Sequence, residues 1–322
     1  MPKGNANRID VHSHMIPEFY REAAIAAGAV PAQGRYPSWS PELALQMMQE
    51  NEIRTILTSI AYPAFNFGSL REAATLARRC NEYAAEIGVK WPGRFGGLAS
   101  LPIQDPFSLD SALVELDYAM GTLGTDGVML FASYAEKFLG DPVYEPLMAA
   151  LNQRRCAVLI HPTYTASAKK IDLPYPGFMI EYLFDTTRAA VNLLFTDSLT
   201  RYPDIKFILA HAGGTIPYVS WRLAITPTID RTMPQWSSEE IHQKLKRFWY
   251  DTALSPSFAT MGSLLHVADP TKVLFATDWP MSGAVGTTES VKCISAPGLL
   301  SEQQQADINR GNALKLFPKY VL

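Results

Sequence analysis

RIDVHSHMIP, residues 8–17, ends a short apolar run with two histidines, His12 and His14, that stand one residue apart. In an extended chain, residues i and i+2 point to the same side, so both imidazoles can face one ion. An HxH pair is a weak motif when it stands alone. Its meaning therefore depends on whether residues of the same chemistry occupy equivalent places elsewhere in the chain.

The composition excludes several classes of protein. The 322 residues carry a net charge of −3 without a run of like charges, which favours neither nucleic acid nor an anionic membrane as a partner. No stretch approaches the ~20 consecutive apolar residues of a membrane span. Cys80, Cys156 and Cys293 are odd in number and far apart, as expected of reduced thiols. Residues 1–10 lack the apolar core of a secretion signal, so we expect a cytoplasmic protein.

Short β-rich runs alternate with helical patterns along the whole chain. Several of these runs are continuously apolar, which is typical of parallel strands covered on both faces. Eight of them in a β/α alternation predict a single α/β domain over residues 1–322, a (β/α)8 barrel of the TIM type. The predicted strands are 8–12, 54–60, 94–101, 126–131, 156–161, 205–211, 247–252 and 272–278.

Helix signals occur between the runs. Ser40 is a predicted N-cap with Pro41 in the first turn of a helix over 40–51. Gly88 is the predicted C′ residue of a helix over 69–88. Two further helices are predicted over 141–155 and 214–224, and the Gly- and Pro-rich segments 24–40 and 162–178 are predicted to be long loops.

The barrel prediction can be tested at the strand ends, because catalytic groups of this fold sit at the C-terminal ends of its strands. His12 and His14, His161, His211 and Asp278 all stand there. Imidazole and carboxylate together suit Zn²⁺, Mn²⁺ or Fe²⁺, which makes His12, His14, His161 and Asp278 a candidate metal set. His211 is a candidate general base or electrostatic partner. A core histidine or an N-capping aspartate would explain any one of these residues, but not their coincidence at four strand ends.

The order of these motifs is similar to that of the amidohydrolase superfamily. HxH, then HP, HAGG and TDWP resemble most closely its decarboxylase branch, the aminocarboxymuconate semialdehyde and γ-resorcylate decarboxylases. The likeness extends to NRGNALKLF at 309–317. Within the branch, three stretches of this chain resemble the 6-methylsalicylate decarboxylase family. They are RFGGLASLP (94–102), LPYPGFMIEYLFDTTRAAVNLLF (173–195) and YPDIKFILAHAGGTIPY (202–218).

The resemblance implies a reaction as well as a fold. His12, His14, His161 and Asp278 would bind one divalent ion, zinc or manganese, and His211 would lie beside it. The implied reaction is non-oxidative decarboxylation of an ortho-hydroxybenzoate, most closely 6-methylsalicylate to m-cresol. Asp278 would protonate the ring carbon that bears the carboxylate, with His211 assisting. In the alternative scheme, His211 is a base that activates water.

Two departures from the family pattern bear on the site. The superfamily's hydrolases often have a carboxylated lysine after the fourth strand, whereas MLFAS at 129–133 has none and Lys137 lies too far along, which favours a single metal ion. Ala44 stands where the carboxymuconate branch has an arginine, which favours a less anionic ligand. Arg222 corresponds to an arginine that binds a substrate carboxylate from a neighbouring subunit, although a surface ion pair is an equal alternative.

A small aromatic carboxylate needs apolar walls. The candidates for substrate contact in or near the predicted loops and strand ends are Tyr62, Phe65, Tyr164, Phe184 and Trp279. Arg188 is a further candidate for the carboxylate, with an ion pair to Asp185 as the alternative. The apolar stretch around 178–195 and the resemblance both favour a homodimer or a higher homo-oligomer.

Two other functions remain open at this level. A hydrolase of the same fold would use the same metal to activate water against a lactone or an amide, and only its products would distinguish it. A barrel without catalysis is the third possibility. The complete ligand set argues against that possibility, because a decayed site would lack at least one ligand.

Overall fold

A computed structural model describes residues 7–170 and 174–321. Residues 1–6, on which part of the cytoplasmic prediction rests, and residues 171–173 of the predicted loop 162–178 lie outside the described part of the chain. Eight parallel strands form one sheet, in which each strand pairs with the next along the chain. The strands are β1 (Arg8–His14), β2 (Ile53–Ser59), β3 (Phe95–Ser100), β4 (Gly127–Phe131), β5 (Ala157–His161), β6 (Lys206–Leu209), β7 (Trp249–Asp251) and β8 (Val273–Leu274).

The first and last strands close the sheet into a barrel. Val11 N donates to Phe275 O at 3.1 Å, and Asp278 N donates to His12 O at 2.9 Å. The Asp10 carboxylate adds a side-chain link across this seam, since it accepts hydrogen bonds from the backbone and the hydroxyl of Thr277. The predicted (β/α)8 barrel is thereby confirmed.

The apolar character of the strands follows from their position between side chains of the barrel interior and a surrounding layer of helices. All residues of β1, β3, β4 and β5 are buried. Such strands have no solvent face and therefore no alternation of polar and apolar residues. A short antiparallel pair, Ser133–Tyr134 with Lys137–Phe138, follows β4.

Thirteen α-helices lie in the described part of the chain. They are α1 (Glu18–Ala26), α2 (Pro41–Glu50), α3 (Leu70–Lys90), α4 (Asp110–Gly121), α5 (Glu145–Gln153), α6 (Glu181–Phe195), α7 (Ser198–Arg201), α8 (Ile216–Ile229), α9 (Ser238–Leu245), α10 (Phe258–Val267), α11 (Gly283–Ile294), α12 (Glu302–Ala306) and α13 (Asn312–Leu316). None of the helices in this part of the chain has the length and hydropathy needed to cross a membrane.

Helix beginnings follow the sequence signals better than helix ends. The Ser40 hydroxyl accepts from Leu43 N at 3.2 Å and caps α2, as predicted. The end of α3 was predicted wrongly, because the helix continues past Gly88 to Lys90. Gly88 is instead a packing residue: a Cβ there would lie 3.4 Å from Phe95 O, so glycine lets α3 lie close to β3.

Candidate metal centre

Four side chains meet at the C-terminal mouth of the barrel. His12 and His14 project from the end of β1, and His161 is the last residue of β5. Asp278 follows β8, where the chain has left the regular ladder and takes a left-handed conformation with φ of +61°. One ligand atom from each of the four residues lies within 4.8 Å of the others, and all four residues are buried.

The distances within this cluster place its polar atoms around a common point. His12 Nε2 lies 3.2 Å from His14 Nε2. Asp278 Oδ1 lies 3.0 Å from His14 Nε2 and 3.4 Å from His12 Nε2. The ring centroids of His12, His14 and His161 are 4.9 to 5.0 Å apart, with the rings edge to face.

The other ring nitrogens are held by groups outside the cluster. His12 Nδ1 is 2.8 Å from Asp251 Oδ2, and His161 Nδ1 is 2.7 Å from Pro162 O. A carboxylate and a carbonyl can only accept, so these two Nδ1 atoms carry the hydrogen. Each Nε2 is then the atom with a lone pair for a metal, an orientation that partners outside the ligand set commonly impose.

The donor set fits a divalent metal. Asp278 Oδ1 is buried without an acceptable hydrogen bond from any described residue, although it faces two imidazole nitrogens. Lone pairs of a carboxylate and of imidazoles that converge in a buried place need a cation among them. Three imidazole nitrogens and one carboxylate oxygen suit zinc, and the set also suits manganese.

The pKa values report the same demand for positive charge. Burial opposes a charge on His12, yet Asp251 and Asp278 together raise the pKa of His12 to about 10. Burial lowers the pKa values of His14 and His161. Burial would raise the pKa of Asp278, but the attraction of the neighbouring histidines outweighs it and holds this pKa well below its usual range.

His211 lies beside the cluster on a tight turn after β6. His211, Ala212, Gly213 and Gly214 have φ values of +55°, +56°, +75° and +64°, so four successive residues are left-handed. The turn brings His211 Nε2 to 3.6 Å from Asp278 Oδ2. His211 Nδ1 is buried and has no hydrogen-bond partner among the described residues.

Asp251 is a site residue that the sequence inventory did not include. It ends β7 and is fully buried. Its Oδ2 accepts from His12 Nδ1, while its Oδ1 accepts from His211 N at 2.8 Å and Ala253 N at 3.0 Å. The strand-end rule applied to the predicted strand 247–252 would have found it.

An apolar cavity of about 200 Å³ adjoins the cluster. Of the residues predicted for the site, Asp278 and His211 line this cavity. The other lining residues come from the loop before α2, the segment that leads into α6, the first turn of α6, and the loops after β7 and β8. They are Gln33, Phe178, Met179, Tyr182, Leu183, Leu254, Ser255 and Met281.

The predicted aromatic contacts lie around the site and outside this lining. The Tyr62 ring is 6.3 Å from Phe131 and its hydroxyl is 2.8 Å from Lys169 Nζ. Phe65 is buried against Tyr20. Tyr164 packs over Gly177, where a Cβ would lie 2.3 Å from the Tyr164 hydroxyl.

The remaining predicted substrate contacts lie at the barrel seam and on the exposed faces of α6 and α8. Trp279 is buried, and its carbonyl accepts from His14 N at 2.7 Å, which fastens the seam beside the ligands. Phe184 and Arg188 are exposed on α6, with the guanidinium 6.0 Å from the Phe184 ring. Arg222 is exposed on α8. Contact of these seven residues with substrate stays a prediction.

Known proteins resemble this chain over nearly its whole length. The family described as Amidohydrolase matches residues 9–319. A 6-methylsalicylic acid decarboxylase from Penicillium expansum is 35% identical over 316 residues, which cover 97% of this chain and 96% of that protein. Decarboxylase yanB of Aspergillus niger is 34% identical over 327 residues, which cover 98% and 89%.

Solved structures agree with this assignment. One described as an amidohydrolase II has a TM-score of 0.88 at 27% identity and covers 97% of this chain and 99% of its own. A dihydroxybenzoic acid decarboxylase from a Polaromonas species, solved with manganese and 2-nitroresorcinol, has a TM-score of 0.82 at 23% identity and covers 98% of both chains. The resemblance inferred from the motifs is confirmed: the chain belongs to the amidohydrolase family, in its decarboxylase branch.

Proposed function

We propose that this decarboxylase removes CO₂ from an ortho-hydroxybenzoate with one divalent metal ion, and that 6-methylsalicylate is its preferred substrate, with m-cresol as product. One observation carries the proposal. The cluster of three imidazoles and a carboxylate opens, through Asp278 and His211, into an apolar cavity. The full-length similarity to a 6-methylsalicylic acid decarboxylase supports the choice of substrate.

The size and walls of the cavity support a ligand with a single ring. Its volume of about 200 Å³ is below the ~300–1,000 Å³ of pockets for drug-sized ligands. Leu254 and Met281 line it beside Asp278, and such a wall suits a ring methyl group better than a second hydroxyl, which would need a hydrogen-bond partner.

The metal would be held by His12, His14, His161 and Asp278. When bound, the ion supplies a Lewis acid that lowers the pKa of the substrate phenol and fixes the ring. Zinc and manganese are both candidates, and the manganese in the Polaromonas enzyme supports the second. Elemental analysis of the purified protein distinguishes the two.

Asp278 and His211 are assigned the proton transfer, since they are the two members of the site that line the cavity. Asp278, whose carboxylate is held ionised in the free site, first takes up a proton from water and then delivers it to the ring carbon that bears the carboxylate. The bond to the carboxyl carbon then breaks, its electron pair restores the aromatic ring, and CO₂ leaves. His211 holds the Asp278 carboxylate from 3.6 Å, and a proton from water replaces the one consumed. In the competing scheme His211 is the base that activates water.

Asp278→Asn tests this assignment. The amide keeps the shape and an oxygen ligand but cannot carry the proton, so we expect bound metal and a loss of turnover of about 100-fold or more. Turnover is measured as CO₂ release, with metal content determined on the same sample. Near-full activity in the metal-loaded variant would contradict the role of Asp278 as donor.

The oligomeric state and the cellular location of the enzyme are also part of the proposal. We propose a homodimer, because α8 exposes Tyr218, Trp221 and Ile229, whereas α6 buries Ala189, Ala190, Leu193 and Leu194 within its own chain. Arg222 on α8 would then reach a neighbouring site. Light scattering coupled to size-exclusion chromatography would give a mass twice that of the chain. We also propose a cytoplasmic location, which suits its free cysteines.

The substrate is tested directly with metal-loaded protein and a panel of salicylates that includes 6-methylsalicylate and γ-resorcylate. Release of CO₂ and m-cresol from 6-methylsalicylate, faster than from the other acids, is the expected result. The absence of CO₂ from every member of the panel, with metal confirmed present, would overturn the proposal and favour a hydrolase.

A further inference from the structure

Within one chain, the cavity beside the metal centre must accept an anion without the help of a cationic side chain of its own lining. No lysine or arginine lines it among the residues that the structure describes. A carboxylate removed from water needs hydrogen bonds or a counter-charge in compensation. Apart from a metal and the two site residues His211 and Asp278, the polar lining consists of Gln33, Tyr182 and Ser255.

Among these three neutral groups, Tyr182 alone packs against a metal ligand. It lies in the first turn of α6, with its ring 6.2 Å from the His161 ring at 73° and 6.5 Å from the Phe178 ring. Gln33 belongs to an exposed loop, and Ser255 follows the exposed Leu254. Tyr182 therefore provides a polar group of the cavity wall next to a metal ligand.

The Tyr182 hydroxyl is available for a ligand. It makes no hydrogen bond with any residue in 7–170 or 174–321, whereas Tyr62, Tyr134 and Tyr250 each use theirs within the protein. A tyrosine phenol is neutral near pH 7, so the group can donate to an anion.

We propose that the Tyr182 hydroxyl donates a hydrogen bond to the carboxylate of the bound substrate. This inference rests on the proposed function and adds a residue that distinguishes the substrate from its product. The acid offers a charged acceptor to Tyr182, and the phenol that remains after CO₂ has left does not. Tyr182 therefore strengthens binding of the acid without retaining the product.

Tyr182→Phe tests the proposal, because it removes one oxygen and keeps the ring that packs on His161. KM for 6-methylsalicylate and the inhibition constant of m-cresol are measured on the metal-loaded protein. We expect KM to rise about 10-fold or more, as for a lost hydrogen bond to a charged group, and m-cresol to inhibit both proteins equally. Tyr36→Phe is the matched control: Tyr36 is also half-buried, donates to Ala29 O at 3.2 Å and does not line the cavity.

An unchanged KM in an active Tyr182→Phe enzyme would overturn the inference while leaving the proposed function intact. An equal loss of affinity for acid and cresol would also overturn it, since a hydrogen bond to the carboxylate affects the acid alone. If the wild type releases no CO₂ from any salicylate, the proposed function fails instead. Calorimetric binding of 6-methylsalicylate then decides: weaker binding to the variant supports the role of Tyr182, and equal binding overturns it.

Discussion

At the scale of single residues, Asp251 positions two histidines of the site at once. One carboxylate oxygen accepts from His12 Nδ1, and the other accepts from the backbone amides of His211 and Ala253. The same side chain thus sets the tautomer of a metal ligand and the position of the histidine beside it. Because both oxygens accept, no side chain with a donor at either place can replace the carboxylate without conflict.

Asp251→Asn is expected to weaken metal binding by about 10- to 100-fold. The amide must turn its NH₂ group either towards His12 or towards two backbone amides. In the first case the His12 hydrogen moves to Nε2, which then has no lone pair for the metal. Metal titration with a competing chelator measures the effect.

Glu115→Gln is the control for loss of a buried acid. Glu115 pairs with Arg78 at 2.7 Å and accepts from Asn81 at 2.8 Å, in helices away from the metal cluster. The Glu115→Gln variant is expected to have a lower free energy of unfolding and an unchanged metal affinity. Equal metal affinity in Asp251→Asn and the wild type would contradict the role given to Asp251.

Ionisation of the buried Asp185 is expected to make the stability of the protein depend on pH. It is buried, accepts from Thr163 N at 2.8 Å and Ser133 Oγ at 3.4 Å, and burial raises its pKa from 3.8 to about 7. Between these two values the folded protein holds a proton that the unfolded chain has released. The contribution of Asp185 to stability is therefore complete below pH 3.8 and is lost as the pH rises through about 7.

Asp185→Asn should remove this dependence without breaking contacts, because its amide oxygen can accept from Thr163 N and its NH₂ group can donate to Ser133. We expect the free energy of unfolding to exceed that of the wild type above pH 7, by at most about 4 kcal/mol, and not at pH 4. Urea unfolding at pH 4, 6 and 8 measures it. A difference that is the same at every pH would show that ionisation is not the cause.

At the scale of elements, the turn from His211 to Gly214 determines where the histidine points. Such a run of left-handed residues is costly, and it persists only where the surroundings fix it. A Cβ on Gly214 would lie 2.2 Å from Leu183 O, so the turn also packs directly against the backbone of α6. The HAGG motif is therefore a requirement of backbone conformation and close packing as well as a source of one imidazole.

Gly214→Ala is expected to destabilise the protein by about 2 kcal/mol or more, through backbone strain and the clash with α6. Thermal unfolding measures the loss, and activity should fall with it because His211 moves. Gly262→Ala is the matched control. Gly262 lies within α10 with nothing within 4 Å of a Cβ, so alanine should preserve or slightly raise the stability. Equal melting temperatures for the two variants would contradict this view of the turn.

The elements also show how far the sequence predicts this protein. All eight strands and the meeting of His12, His14, His161 and Asp278 were predicted, because buried parallel strands leave apolar runs and their ends meet at one mouth of the barrel. The predicted strand 272–278 is regular only at Val273–Leu274, since the next three amides donate outside the strand ladder, to Ile308 O and to the side chains of Thr252 and Asp10. Tyr182 was missed because the pattern of α6 does not show which face meets the cavity.

At the scale of the whole molecule, the ligands join parts of the barrel that the backbone connects weakly. β8 pairs with β7 through only two residues, and the seam to β1 depends on a few hydrogen bonds. The proposed metal, held by His12, His14, His161 and Asp278, would link β1, β5 and the segment after β8. It would then cross-link the chain at the point where the barrel closes.

Chelation of the metal is expected to lower the melting temperature, since a ligand present at 100 times its Kd adds about 2.7 kcal/mol to the folded state. Hydrogen exchange should increase first in β1 and in residues 273–279, with β3 and β4 protected as before. Differential scanning calorimetry and exchange mass spectrometry measure the two effects. A loss of hydrogen-exchange protection that is equal in all strands would contradict a metal cross-link at the seam.

The seam also sets the order of events when the protein is made. Asp10 and Thr277 touch across it although 267 residues separate them in the chain. A ribosome therefore completes both histidines of β1 and then most of the barrel before Asp278 emerges. Until that moment three of the four groups of the proposed metal site are present and the fourth is not. The site would therefore be complete only late in synthesis.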